Sequence, residues 1–312
     1  MTSQLQIYSF YRFKKINNKK KLKIDLLKFI NKKKIRGTIL IAHEGINGSI
    51  SGKSIELNEI IKIIKKTVKI RNLSLKINNI DYLPFNRIKI RLKKEIVSFG
   101  MGNLNINERK SKYIHPSEWN DLINSTNIKL IDTRNLYEIN IGRFKKSINP
   151  MTSTFREFPK KFDELKIKKD DRIAMYCTGG IRCEKASLYL SSIGYKKIYQ
   201  LDGGILNYLS YCKENLKENL WQGECFVFDN RVSVNRKLGP GKFIQCHGCR
   251  RPITFKDTKT KEYKKGVCCP YCFNERSNEQ KIRSNVRQKQ IDNANMHGLS
   301  HSFKKINQKE FE

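Results

Sequence analysis

Over the first hundred residues the hydrophobic positions change period several times. Residues 5–13, LQIYSFYRF, read as a strand, and KIDLLKFINKKKI has helical spacing. GTILIAHEGINGSISG is an apolar strand, a glycine-punctuated turn and a second strand. A helical stretch follows, SIELNEIIKIIKKTVKI, then LSLKINNIDY and the alternating RIKIRLKKEIVSFG. This order predicts a βαββαβ sandwich over residues 1–100. Residues 101–122 read as a linker leading into a helix that starts near Pro116 and Ser117.

From 123 to 217 short apolar runs alternate with helical ones: KLIDTRN, FREFPKKFDEL, RIAMYC, EKASLYLSSIGY, KIYQLDGG and ILNYLSYC. That alternation predicts a parallel sheet inside a three-layer α/β domain. Residues 225–275 hold paired cysteines, and 276–312 form a polar, basic tail that reads as a solvated helix or a disordered segment.

Charge narrows the class of partner. Lysine and arginine number 64 against 29 acidic residues, a net +35, which points to a polyanion, nucleic acid before membrane surface. Lysine, isoleucine and asparagine are overused throughout, as an AT-rich genome would impose, so charge alone does not decide for RNA. The opening residues carry no apolar core of a signal peptide, and no apolar run approaches the roughly 20 residues of a membrane helix. A soluble cytoplasmic protein, with no membrane partner, is expected.

Nine cysteines without an export signal argue for chemistry or metal rather than a disulfide framework. The first candidate lies in MYCTGGIRCEKAS, residues 175–187. A strand ends at Tyr176 and a helical run starts by Glu184, so Cys177, Thr178, Gly179, Gly180, Ile181 and Arg182 turn the chain between them. Glycines let backbone N–H groups point inward at a helix N-terminus, an anion cradle. A thiolate there is stabilised by those donors, by the helix dipole and by Arg182, which makes Cys177 a candidate nucleophile rather than an inert buried thiol. Four residues separate Cys177 from Arg182, one fewer than the loop of cysteine-dependent phosphatases. The smaller cradle suits a sulfur-sized group such as a cysteine persulfide. Cys183 is either a packed small side chain or a resolving thiol for an oxidised Cys177.

CTGGIR resembles the active-site loop of rhodanese domains, LIDTRNLYEINIGRF their strand-and-turn signature, and IYQLDGGILNYL their last strand and closing helix. Arg143 departs from the histidine many rhodaneses carry there. SFYRF, LIAHEGINGSISG, the rhodanese block and a cysteine-rich segment, in this order, are similar to the bacterial tRNA uridine(34) hydroxylase family over nearly the whole chain. The resemblance implies an acylphosphatase-like N-terminal domain, Cys177 as the matched catalytic position, and molecular oxygen as co-substrate. It also implies formation of 5-hydroxyuridine at the wobble position of tRNA, in the anticodon stem-loop. The loop residues by themselves point to sulfur transfer, so a sulfurtransferase for tRNA thiolation or sulfur relay is the rival. A non-catalytic RNA-binding scaffold is a third reading.

Three further sets are candidates. His43, Glu44 and Asn47 of HEGINGSISG either contact substrate or merely belong to a glycine hairpin. Arg87, Lys89, Arg91 and Lys93 fall on one face of a strand, to lie along RNA phosphates or to solvate an edge. Cys246 and Cys249, then Cys269 and Cys272, form two C-x2-C pairs with residues 250–268 between them, the spacing of a structural zinc ribbon. Cys268 is left over. The sequence identifies no organic cofactor.

Overall fold

The computed structural model describes residues 4–31, 33–102, 104 and 111–299. The first elements are β1 (Leu5–Phe13), α1 (Lys19–Ile30), β2 (Arg36–Ala42), β3 (Gly45–Lys53), α2 (Ser54–Val68), β4 (Ser74–Asn79) and β5 (Ile88–Leu92). They build one five-stranded sheet in the order β4-β1-β3-β2-β5, with β2 and β5 parallel. The expected βαββαβ pattern is therefore present, extended by β5.

Asn18 caps α1 by accepting from Lys21 N at 2.9 Å, and Leu22, Leu26 and Ile30 put one stripe of the helix in the core. Leu57, Ile60, Ile61, Ile64 and Val68 do the same for α2. Both helices pack on one sheet face, against Tyr8, Phe10, Ile39, Ile41, Ile46, Ile50 and Ile90. Strand alternation sends the intervening residues to the opposite face. There the ladder registers align Lys76, Ser9, Ser49, Thr38 and Lys89 in one row across the five strands. The neighbouring row is Ser74, Tyr11, Asn47, Leu40 and Arg91. This face carries few apolar side chains and is not covered by helices of its own domain.

The second unit runs through β6 (Lys112–Ile114), α3 (Pro116–Asn124), β7 (Ile128–Asp132), α4 (Leu136–Ile139), β8 (Gly142–Phe144), α5 (Phe158–Asp163), β9 (Arg172–Tyr176), α6 (Ile181–Ser192), β10 (Ile198–Leu201) and α7 (Gly204–Glu214). Its parallel sheet has the order β6-β10-β9-β7, with a hydrophobic cluster on each face. The stretch read as a linker thus ends in an edge strand, β6. Its helix α3 buries Trp119 in the core of this unit.

Short pairs follow: β11 (Trp221–Gly223) on β8, β12 (Cys225–Phe226) on β13 (Ser233–Val234), and β14 (Ile244–Gln245) on β15 (Pro252–Ile253). The tail forms a helix, α8 (Asn278–Met296), opened by a Ser277–Gln280 capping box. The rest of the tail, from 300, lies outside the described residues.

A buried ion cluster joins the first two units. Lys185 Nζ of α6 reaches Glu44 at 2.9 Å, Glu95 at 2.7 Å and the Val97 carbonyl at 3.2 Å. Glu44 also accepts from Ile96 N at 2.7 Å, and Glu95 from Phe99 N at 3.0 Å. The Lys185 side chain is 3% exposed, so it leaves water for these partners alone. Lys185→Met would leave two carboxylates facing each other without their cation. We expect the urea midpoint to fall by the equivalent of about 2–4 kcal/mol, discounted because both carboxylates keep some contact with water.

Candidate active site

Strand β9 delivers Cys177 to the C-terminal edge of the parallel sheet, and α6 begins at Ile181, three residues earlier than the sequence pattern placed its start. Arg182 and Cys183 therefore belong to the first helical turn. Gly180 is the N-cap, with φ of 98°, a conformation that L side chains rarely adopt. From that cap its N–H donates to Cys177 Sγ at 3.0 Å. The loop rests on the start of α7, whose Ile205 and Leu206 amides donate to the Cys177 and Thr178 carbonyls at 2.9 and 3.1 Å. A side chain at Gly204 would collide with the Cys177 carbonyl, so the sequence has to be glycine for the two turns to touch.

Cys177 is 1% exposed, and burial alone would raise its pKa. The Cys183 thiol, the Arg182 guanidinium and the amides of Cys183 and Arg182 outweigh burial and take it from the usual 9.0 down to about 5. Burial and the charge on Cys177 push Cys183 the other way, well above the ordinary thiol value. The pair holds one negative charge near neutral pH, and that charge resides on Cys177. Cys183 also lies 3.5 Å from Thr133 Oγ1.

Arg182 lines the cleft but is held by a carboxylate of the neighbouring turn. Its guanidinium makes a bidentate pair with Glu138 of α4, at 2.6 and 2.7 Å, and Thr178 Oγ1 donates to the same carboxylate at 3.4 Å. Glu138 is fully buried. Burial raises its pKa, but the charge and hydrogen bonds of Arg182 prevail and hold it ionised below the usual carboxylate range. Arg182 acts on the thiolate through its charge, while its two terminal nitrogens each donate to Glu138. Glu138 is a residue beside the site that the sequence reading did not single out, although it lies inside the quoted LIDTRNLYEINIGRF. The Arg134–Asp132 pair of that stretch, 2.6 Å apart and without exposure, shapes the turn that carries it.

Cys177 lines a cleft of about 780 Å³ between the two units. The polar sheet face forms one wall, with Ser9, Tyr11, Asn47, Ser49 and Lys76; the cysteine loop forms the other; Phe228 and Arg231 add to the lining. Of His43, Glu44 and Asn47, Asn47 is the one that lines this cleft, and its Nδ2 donates to the Ile96 carbonyl at 3.1 Å. His43 is exposed with Nδ1 at 3.1 Å from the Ile16 carbonyl, and Glu44 is taken up by Lys185. Neither was brought to the sulfur. Lys93 lines the cleft, while Arg87, Lys89 and Arg91 continue the sheet away from it. Burial and then the charges of Arg87, Arg91 and Arg250 lower the pKa of Lys89. The cysteine-rich segment thus contributes a cation to the same basic stripe.

In that segment the thiols of Cys246, Cys249, Cys269 and Cys272 all lie within 4.8 Å of one another. The sulfur separations are 3.9 Å for Cys246–Cys272, 3.9 Å for Cys249–Cys269 and 3.8 Å for Cys269–Cys272. Four sulfurs about 2.3 Å from a central Zn²⁺ would stand about 3.8 Å apart along a tetrahedral edge, so the donor set fits that ion. Cys268 is turned away and donates to the Glu262 carbonyl at 3.3 Å.

Two outcomes follow. Glu138→Gln leaves Arg182 buried with an unneutralised cation; we expect a loss of about 3–5 kcal/mol in chemical unfolding and a further drop in the pKa of Cys177, read by alkylation against pH. The quartet should bind one zinc per chain by metal analysis, and Cys272→Ser should lose it and lower the melting temperature.

The pattern of a UPF0176 acylphosphatase like domain matches residues 5–96, and that of a rhodanese-like domain matches residues 115–211. Among solved structures, a rhodanese-related protein from Thermoplasma volcanium is 24% identical and covers 32% of this chain and 92% of its own, with a TM-score of 0.27. A rhodanese-like domain protein from Staphylococcus aureus is 22% identical over 31% of this chain and 90% of its own, also with a TM-score of 0.27. The tRNA uridine(34) hydroxylase of Pelagibacter ubique (strain HTCC1062) is 47% identical over 300 residues, 96% of this chain and 98% of that protein. The chain belongs to the tRNA uridine(34) hydroxylase family.

Proposed function

We propose that this protein hydroxylates uridine 34 of tRNA to 5-hydroxyuridine, with Cys177 as the catalytic residue. Near full-length identity to a tRNA uridine(34) hydroxylase supports the reaction. The observation that carries the site is that Cys177 lines the interdomain cleft. At about 780 Å³ that cleft is within the range that encloses a small ligand, and a nucleotide extruded from an RNA loop is of that size.

A thiolate in this position adds to C6 of the uracil ring. One C–S bond forms, and the electron pair of the C5=C6 bond moves onto C5 and O4. C5 is then the nucleophile toward oxygen. Loss of the C5 proton with expulsion of the thiolate restores the ring. With molecular oxygen as co-substrate the second oxygen atom leaves as water, taking two electrons and two protons from a reductant. Cys183, whose thiol keeps its proton and helps to lower the pKa of Cys177, is the resolving thiol for any oxidised form of it.

The anticodon stem-loop is held by charge. The sheet stripe of Arg87, Lys89 and Arg91, with Lys93 and Arg250, carries no ion pair to a described carboxylate, so its mutual repulsion is relieved by RNA phosphates. With Zn²⁺ bound, the cysteine quartet would fix the loop that presents Arg250. No helix among the described residues is long and apolar enough to cross a membrane.

Nucleoside mass spectrometry of tRNA from a deletion strain tests the reaction: 5-hydroxyuridine should disappear and thiouridines persist, whereas loss of thiouridine instead would establish sulfur transfer. Complementation with Cys177→Ser should restore nothing; full restoration would reduce the protein to a scaffold. A 5-fluorouridine-containing tRNA should form a covalent complex with the wild-type protein under active conditions. Cys183→Ser should slow turnover or sharpen peroxide sensitivity, and no change in either removes the resolving role.

A further inference from the structure

Two side chains that line the cleft, Phe228 and Tyr11, lie outside the rhodanese-like unit. Phe228 is 61% exposed, although it follows the buried Cys225, Phe226 and Val227. Its ring packs edge-to-face on Phe226 at 5.1 Å, and the Arg182 guanidinium lies over it at 5.8 Å. A phenylalanine open to water beside the nucleophile loop gains little for folding, but it offers a flat apolar surface. Unstacked bases are held on such surfaces.

Tyr11 comes from the opposite wall. Its hydroxyl lies over Gly180, 2.9 Å from where a Cβ would stand, on the residue whose N–H binds Cys177 Sγ. It has no hydrogen-bond partner among the described residues. Burial, then the charges of Glu184, Tyr113, Cys177 and Cys183, raise its pKa well above the ordinary tyrosine value, so it keeps its proton. The loop needs such a donor: Arg182 and Thr178 are both turned to Glu138.

We propose that Phe228 and Tyr11 form the nucleobase pocket: the target pyrimidine stacks on the Phe228 ring while Tyr11 Oη donates a hydrogen bond to its O4 carbonyl. The pocket explains why the active site spans three parts of the chain. The cysteine loop supplies the nucleophile, the polar sheet supplies the donor for the oxygen on which charge builds, and the segment after α7 supplies the platform. This rests on the hydroxylase reading above.

The test is a binding cycle on the full-length protein with two synthetic anticodon stem-loops, one with uridine and one with an abasic residue at position 34. Wild type should bind the abasic RNA about 5- to 100-fold more weakly. Phe228→Ala should bind the uridine RNA more weakly by a similar factor and lose nothing further on the abasic RNA. Phe228→Trp should restore discrimination. Equal weakening of both RNAs by Phe228→Ala, or no weakening of either, overturns the platform. Tyr11→Phe should lower kcat roughly 100-fold with KM and the alkylation rate of Cys177 unchanged; an unchanged kcat overturns the donor. If wild type discriminates uridine from the abasic site but makes no 5-hydroxyuridine, the pocket stands and the hydroxylase reading falls.

Discussion

A sulfur anion that is 1% exposed must be compensated by charge and dipoles within a few ångströms, because water cannot do it. Much of the architecture around Cys177 answers to that requirement. The Gly180 amide and the helix start of α6 face the sulfur, and Arg182 adds a full charge. Arg182 in turn is too deeply buried to stand alone, which is what Glu138 remedies. The outcome is an alternating series of thiolate, guanidinium and carboxylate, fixed by β9, α6 and α4. Charge is therefore set by the fold before substrate arrives.

The same logic joins the two units. Lys185 sits on the helix that begins at the cysteine loop, and its carboxylate partners come from the β2–β3 turn and from the chain leaving β5. Any tilt of the N-terminal sheet relative to α6 would separate buried opposite charges. The cleft width, and with it the distance from the polar sheet face to the sulfur, is held by that cluster. Glu44 of HEGING thus belongs to the contact that joins the two units.

Several of these features were legible in the sequence because they are local. The CTGGIR turn, the two C-x2-C pairs and the alternation of strands with helices each rest on residues close together in the chain. The zinc-like quartet needed only two such pairs to meet. What could not be read were pairings made by topology: Glu138 with Arg182, Glu44 with Lys185, Tyr11 above Gly180. Nothing across a separation of 44 or 141 positions announces such contacts. β6 was missed for a different reason, since three residues carry too little periodicity to identify a strand. The basic stripe was legible as alternation, but Arg250 joins it only in three dimensions.

The central claim is that Cys177 is ionised at neutral pH while Cys183 is not. The most direct measurement is the alkylation rate of each thiol against pH, with the modified residue located by peptide mass spectrometry. The account predicts a midpoint of about 5 for Cys177, with reactivity full above it and lost as pH falls through it, and no reaction at Cys183 near neutrality. A Cys177 midpoint near the ordinary 9.0, or preferential alkylation of Cys183, would contradict it.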